Sequence, residues 1–100
     1  MSDSKIARRY ARALSELCDA SGDRVKIGQE LQAFAETYNA SLELQVVLKN
    51  PTVDLSLKQS VLSAVLKQLN TQQTVQRFLL VLLDRGRIEV VEDVSRAFQA

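Results

Sequence analysis

The sequence predicts an all-α protein, a single domain built as a six-helix bundle. Proline occurs once and glycine three times in 100 residues, so few residues interrupt helical structure. Apolar residues recur at spacings of three and four along most of the chain, which is the period of a helix face that packs on a core. A chain of this length buries roughly two-thirds of the surface that it exposes when unfolded, enough for one core. We therefore expect residues 1–100 to form one domain.

Three helices are predicted in the first half of the chain. The first covers about 4–20, with Ser4 as its candidate N-cap, and ends at the sequence SGD. The second covers about 25–39. The third covers 42–48 and stops before Pro51, because the residue that precedes a proline is disfavoured in helical geometry.

The fourth and fifth predicted helices follow this proline. Asp54 or Ser56 is the candidate N-cap of the fourth helix, since short polar side chains accept hydrogen bonds from the first free amides. Thr71 is the candidate N-cap of the fifth helix, which ends at about residue 84 or 85. Gly86 is expected to terminate it in the left-handed conformation.

The sequence offers no catalytic, cofactor-binding or metal-ligating residues. It has no histidine and one cysteine, Cys18, so the commonest general base and the usual metal ligands are missing. The three glycines are too far apart to form a phosphate-binding loop. A sixth helix is predicted to end near Phe98, and its first turns contain Glu89, Glu92 and Asp93. Negative charge at the start of a helix is favoured by the helix dipole, so these residues suit a structural role better than acid–base chemistry. We expect a protein that is not an enzyme and that needs no cofactor.

Two of these helices have wider apolar arcs than a surface helix of a small domain needs. About 100° is sufficient, whereas the first helix spans about 160° and the fifth about 260° of its circumference. A fifth helix at the centre of the bundle would explain its arc. Alternatively, the edge near Leu80 and Val81 reaches the surface beside the first helix, and the two form a groove for a partner's amphipathic helix. Periodicity alone leaves both alternatives open.

A basic cluster on the first helix raises a different functional class. Its cations lie opposite the apolar arc and are Lys5, Arg8, Arg9 and Arg12. They could contact phosphates in a small helical nucleic-acid-binding protein, but such proteins usually add a second basic element or stacking aromatics. Tyr10 lies on the apolar side, and the formal net charge is only +1. A solvated polar face is the favoured interpretation, and a helical adaptor of unknown partner is a third.

Nothing in the sequence predicts a membrane span. The longest uninterrupted apolar run covers residues 78–83, far short of the ~20 residues that cross a bilayer. No apolar segment follows the basic start as in a secretory signal. We expect a soluble, cytoplasmic protein.

Two stretches, IARRYARALSEL (6–17) and FLLVLLDRGRIEVVEDVSRAF (78–98), together resemble a known family, the N-terminal domain of the delta subunit of F-type ATP synthase. Its mitochondrial counterpart is the oligomycin-sensitivity-conferring protein. IARRYARALSEL (6–17) is similar to the family's Ala-x-x-Tyr-Ala-x-Ala-Leu pattern, and FLLVLLDRGRIEVVEDVSRAF (78–98) to its later signature, with Ile88 in place of leucine. LKNPTV (48–53) also resembles the bacterial members. The matches are Ala7, Tyr10, Ala11, Ala13 and Leu14 in the first stretch, and Leu79, Leu82, Leu83, Asp84, Gly86 and Arg87 in the second.

The resemblance implies a fold, a partner and a location. Members place a six-helix bundle at the crown of the catalytic head, where a groove between the first and fifth helices captures the N-terminal helix of an alpha subunit. This non-catalytic stator component links the head to the peripheral stalk on the cytoplasmic side of the energy-transducing plasma membrane, and touches the membrane only through its complex. Members continue into a C-terminal region that contacts the b subunits, whereas this sequence stops at Ala100. By position, the implied partner-binding residues are Ile6, Tyr10, Ala13, Leu17, Leu80, Val81 and Asp84.

Overall fold

Six α-helices account for most of the chain in the computed structural model, which describes residues 2–21 and 23–99, with side chains for 5–18 and 23–99. A 3₁₀ turn at Ile88–Val90 leads into the last helix, and no strand occurs among the described residues. This confirms the predicted all-α, six-helix class. The helices are α1 (Ser2–Ser21), α2 (Arg24–Ala40), α3 (Leu42–Lys49), α4 (Leu55–Gln68), α5 (Gln73–Asp84) and α6 (Val91–Gln99).

The boundaries of α3 follow local sequence signals closely. The side chain of Ser41 accepts a hydrogen bond from the backbone N–H of Leu44 at 3.1 Å and so caps α3. Asn50 has extended dihedral angles, φ −70° and ψ 116°, as expected before a proline. At α1 the expectation was wrong, because the helix begins at Ser2 and Ser4 lies within it. Gly22, in the predicted SGD terminator, lies outside the described residues.

The C-termini of α4 and α5 share one terminating motif. Gly86 has φ +70°, its N–H donates to the carbonyl of Leu83 at 3.0 Å, and the N–H of Arg87 donates to Leu82 at 2.8 Å. These two bonds define a Schellman motif and satisfy carbonyls that the helix leaves free. The prediction for Gly86 is confirmed. Asn70, with φ 55°, has the same role after α4, which the sequence analysis did not anticipate.

The N-terminus of α5 is capped by a side chain from another helix. The predicted cap, Thr71, was wrong: its hydroxyl donates to the carbonyl of Leu66 at 3.0 Å, at the end of α4. Instead, the backbone N–H of Gln72, which precedes α5, donates to Glu30 Oε1 at 2.8 Å. Glu30 belongs to α2 and is only 9% exposed. Its carboxylate also lies where the helix dipole favours negative charge.

The core draws side chains from every helix. α6 packs against α1 and α2, and α5 packs against α4, α2 and the 3₁₀ turn. Cys18 is buried. Glu89 lies in the 3₁₀ turn and not in the sixth helix, while Glu92 and Asp93 occupy the first turn of α6. No helix in the described part of the chain is long and apolar enough to span a lipid bilayer.

One buried polar atom in this core lacks a partner. Tyr38 is 4% exposed and packs beside Phe34, with 6.2 Å between the ring centroids. Its hydroxyl has no hydrogen-bond partner among the described residues. Burial, and secondly the negative charge of Glu89, raises the pKa of Tyr38 from 10.0 to about 12. Ionisation of this phenol therefore disfavours the folded state.

We expect Tyr38→Phe to leave the free energy of unfolding unchanged or to raise it by up to about 1 kcal/mol, because it removes an unsatisfied hydroxyl. A raised pKa in the folded state means that stability is fully present below pH 10 and is lost as the pH rises towards 12. Urea denaturation between these pH values should show this loss in the wild type and a smaller one in the variant. A variant that is less stable at neutral pH, or equally sensitive to alkali, would contradict this assignment.

Candidate helix-binding cleft

A cleft of about 740 Å³ lies between α1 and α5. The α1 wall is formed by residues four, three and four positions apart, which share one face of the helix: Ile6, Tyr10, Ala13 and Leu17. They span eleven positions, which corresponds to about 16 Å along the helix axis. Arg9 joins this wall beside Tyr10. The wall is therefore about three helical turns long and mainly apolar.

The α5 wall carries polar, cationic and apolar side chains along its length. Gln73, Arg77, Val81 and Arg85 follow one another at intervals of four, and all line the cleft. Thr74 and Phe78 lie beside them, and Arg87 follows the terminator. The wall therefore combines a central apolar residue with cations one turn to either side.

Two aromatic rings connect the walls. Tyr10 and Phe78 contact edge to face, with centroids 6.3 Å apart and planes at 75°. Phe78 is buried and forms the floor, whereas Tyr10 is half-buried. α1 packs on α6 and α2 while α5 packs on α4 and α2, so the two walls share α2 as a support and differ in their other helix neighbour. The space between them stays open.

Large apolar side chains are exposed on both walls. Leu17 is 57% exposed on α1 and Val81 is 45% exposed on α5. The described residues leave about half of each side chain uncovered, although burying that apolar surface would be favourable. The edge of α5 at Val81 thus reaches the surface, while its opposite face lies in the core.

The seven residues implied by the resemblance separate into two groups. Five line the cleft: Ile6, Tyr10, Ala13, Leu17 and Val81. Leu80 is partly buried and packs against the core, and Asp84 is exposed outside the cleft lining. Leu80 directly precedes Val81, and Asp84 directly precedes Arg85. One position corresponds to a rotation of about 100° about the helix axis, so both side chains point away from the cleft-lining stripe. The α5 wall is the stripe at intervals of four, and neither residue belongs to it.

Sequence reasoning missed the polar members of the α5 wall. The signal was present, because Arg77 and Arg85 stand four positions before and after Val81 and therefore share its face. The predicted α5 face was based on apolar residues only, and the arginines at its border were left out. Arg87 and Thr74 had no comparable signal.

The basic cluster of α1 is divided by the fold. Arg9 lines the cleft. Arg8 and Arg12 face a different, smaller hollow of about 250 Å³, which Arg24 and Phe98 also line. All the cations of the cluster are exposed.

The cleft has the chemistry of a binding surface. Among the described residues that line it there is no carboxylate, histidine or cysteine. Its lining offers apolar surface, hydrogen-bonding groups and positive charge.

Comparison with known proteins identifies the family. A family model described as ATP synthase delta (OSCP) subunit matches residues 6–100. The chain belongs to this family. Proteins named ATP synthase subunit delta are similar to it over nearly its whole length: that of Geobacter metallireducens is 40% identical over 100% of the chain and 56% of its own length, and that of Solidesulfovibrio magneticus is 35% identical over 99% and 55%. The chain thus spans little more than half the length of these delta subunits.

Proposed function

We propose that this chain is the N-terminal helical domain of a delta-type stator subunit and that its α1–α5 cleft binds the N-terminal helix of an alpha subunit of ATP synthase. The role is non-catalytic: it links the catalytic head to the peripheral stalk, on the cytoplasmic side of the membrane. Contact with the b subunits is assigned to the further length of the family's chains. The observation that carries the proposal is the exposure of Leu17 and Val81 on opposite walls of one cleft.

The shape and composition of the cleft suit an amphipathic helix. A helix with its side chains is about 10–12 Å wide, and the α1 wall offers about three turns of contact. Ala13 permits close approach at the middle of this wall, and Tyr10 can bury its ring against Phe78 while its hydroxyl stays hydrogen-bonded. Apolar burial at ~25 cal/mol per Å², less the ordering costs, provides a contact that opens rarely. A stator that resists torque requires such a contact.

The nucleic-acid alternative receives less support. Stacking of bases needs exposed aromatic rings beside the cations. The ring nearest to the basic cluster in sequence, Tyr10, packs against Phe78, and Arg8 and Arg12 lie outside the cleft.

Calorimetric titration with a synthetic peptide tests the proposal. The peptide carries the N-terminal segment of the alpha subunit from the same ATP synthase. We expect saturable one-to-one binding, and a change in tyrosine fluorescence, which is observable because the chain has two tyrosines and no tryptophan. A peptide of scrambled sequence is the control. Absence of binding, or equal binding of the scrambled peptide, would overturn the proposal.

A further inference from the structure

The cleft concentrates unpaired positive charge. Four of the chain's 13 cationic side chains line it, although the formal net charge is only +1. They are Arg9, Arg77, Arg85 and Arg87. In the described part of the chain the ion pairs are those of Arg96 with Glu92 and Asp93, and none of the four has an ion-pair partner there.

The cations border the apolar surface in a regular arrangement. Arg77 and Arg85, the residue that directly follows α5, flank Val81 and are eight positions apart, or about 12 Å along the axis. Two residues seven or eight positions apart on a neighbouring helix are separated by about 10.5–12 Å. A helix that lies along α5 can therefore present one carboxylate to each arginine.

We propose that the cleft selects its helix by charge as well as by apolar shape. The occupant carries carboxylates at the border of its apolar face, two of them seven or eight residues apart, and these pair with Arg77 and Arg85. Arg9 on the opposite wall and Arg87 beyond the terminator extend the positive field. This inference rests on the proposed function, because it describes the chemistry of the helix that enters the same cleft.

A protein helix fits this arrangement better than a phosphate backbone does. The arginines border a surface whose centre is Val81, Leu17 and the ring of Phe78. A phosphate backbone has no apolar groups that could cover this centre. Arginine also pairs with carboxylates through two parallel hydrogen bonds, which adds geometric specificity. Complementary charge raises the association rate and disfavours helices that carry positive charge at the same border.

The test removes two charges from the cleft and, separately, two from elsewhere on the surface. Arg77→Gln with Arg85→Gln should weaken binding of the alpha-subunit peptide by about tenfold at low salt, since each exposed ion pair contributes a factor of about two to five. The matched control is Arg8→Gln with Arg12→Gln, which makes the same change in net charge outside the cleft and should alter affinity less than twofold. Glutamine retains helix propensity, and circular dichroism checks the fold of both variants.

Salt and peptide charge supply the second readout. Between about 20 mM and 300 mM salt, the affinity of the wild type should fall more steeply than that of the Arg77/Arg85 variant, because salt screens exposed charges. A peptide with its carboxylates changed to amides should bind both proteins equally. If the Arg77/Arg85 variant binds the native peptide with the same affinity and the same salt dependence as the wild type, the inference is overturned. The proposed function would then still stand.

Two further outcomes would overturn it in other ways. Absence of binding of the native peptide by the wild type would remove the proposed function and this inference together. An oligonucleotide of matched charge is the counter-probe: equal affinity for it, lost in the same double variant, would mean that the arginines bind phosphates and not carboxylates.

Discussion

Val81→Asp should abolish binding of the alpha-subunit peptide while the domain remains folded. Val81 is 45% exposed, so the new carboxylate is solvated in the free protein and costs little stability. In the complex the same carboxylate would be buried against an apolar helix face, and taking a charge out of water costs several kcal/mol. It would also attract Arg77 and Arg85, which lie one turn away on either side. We expect the affinity to fall by at least about 100-fold, measured by calorimetry.

The opposite wall and an unrelated surface provide the comparisons. Leu17→Asp should abolish binding for the same reason, because Leu17 is 57% exposed on α1. On this wall the new carboxylate does not lie next to Arg77 and Arg85. Val25→Asp is the matched control, since this valine is 76% exposed on α2 and outside the cleft lining. Leu80→Asp should instead unfold the domain, because Leu80 packs on the core. Wild-type affinity in Val81→Asp, or loss of its helical circular dichroism, would contradict the position assigned to Val81.

Glu30→Ala should lower the free energy of unfolding by about 1–3 kcal/mol. The carboxylate accepts the backbone N–H of Gln72, and its removal leaves a partly buried donor without its partner at the start of α5. The favourable interaction with the helix dipole is lost as well. For a domain of this size, each kcal/mol corresponds to about 4–8 °C in Tm. Thermal denaturation followed by circular dichroism measures the shift.

Two companion variants separate the cap from general effects of charge. Glu36→Ala removes an exposed carboxylate from the same helix, whose hydrogen bond with Gln32 is at the surface, and should change Tm little. Glu30→Gln retains one acceptor oxygen and should fall between the wild type and Glu30→Ala. Equal melting temperatures for Glu30→Ala and Glu36→Ala would show that the contact with Gln72 adds nothing to stability.

Local signals in the sequence determined the helical elements of this protein. The stop before Pro51 and the left-handed turn at Gly86 depend on the conformational limits of single residues, and such limits act in any context. The width of the apolar arcs likewise singled out α1 and α5 as helices with more apolar surface than a surface helix needs, without deciding whether the core covers it. These properties are local, so one sequence was sufficient to find them.

The tertiary structure decided which surface is left open and which groups complete it. A helical wheel fixes angles about one axis, but it does not show which neighbour covers each face. In the folded structure Leu80 packs against the core, whereas Val81 and Leu17 remain exposed on the two walls of the cleft. Glu30 caps α5 from 42 positions away, and the arginines of α1 and α5 meet across one cleft. Such relations between distant residues arise only when the helices pack, because packing is what brings separate axes together.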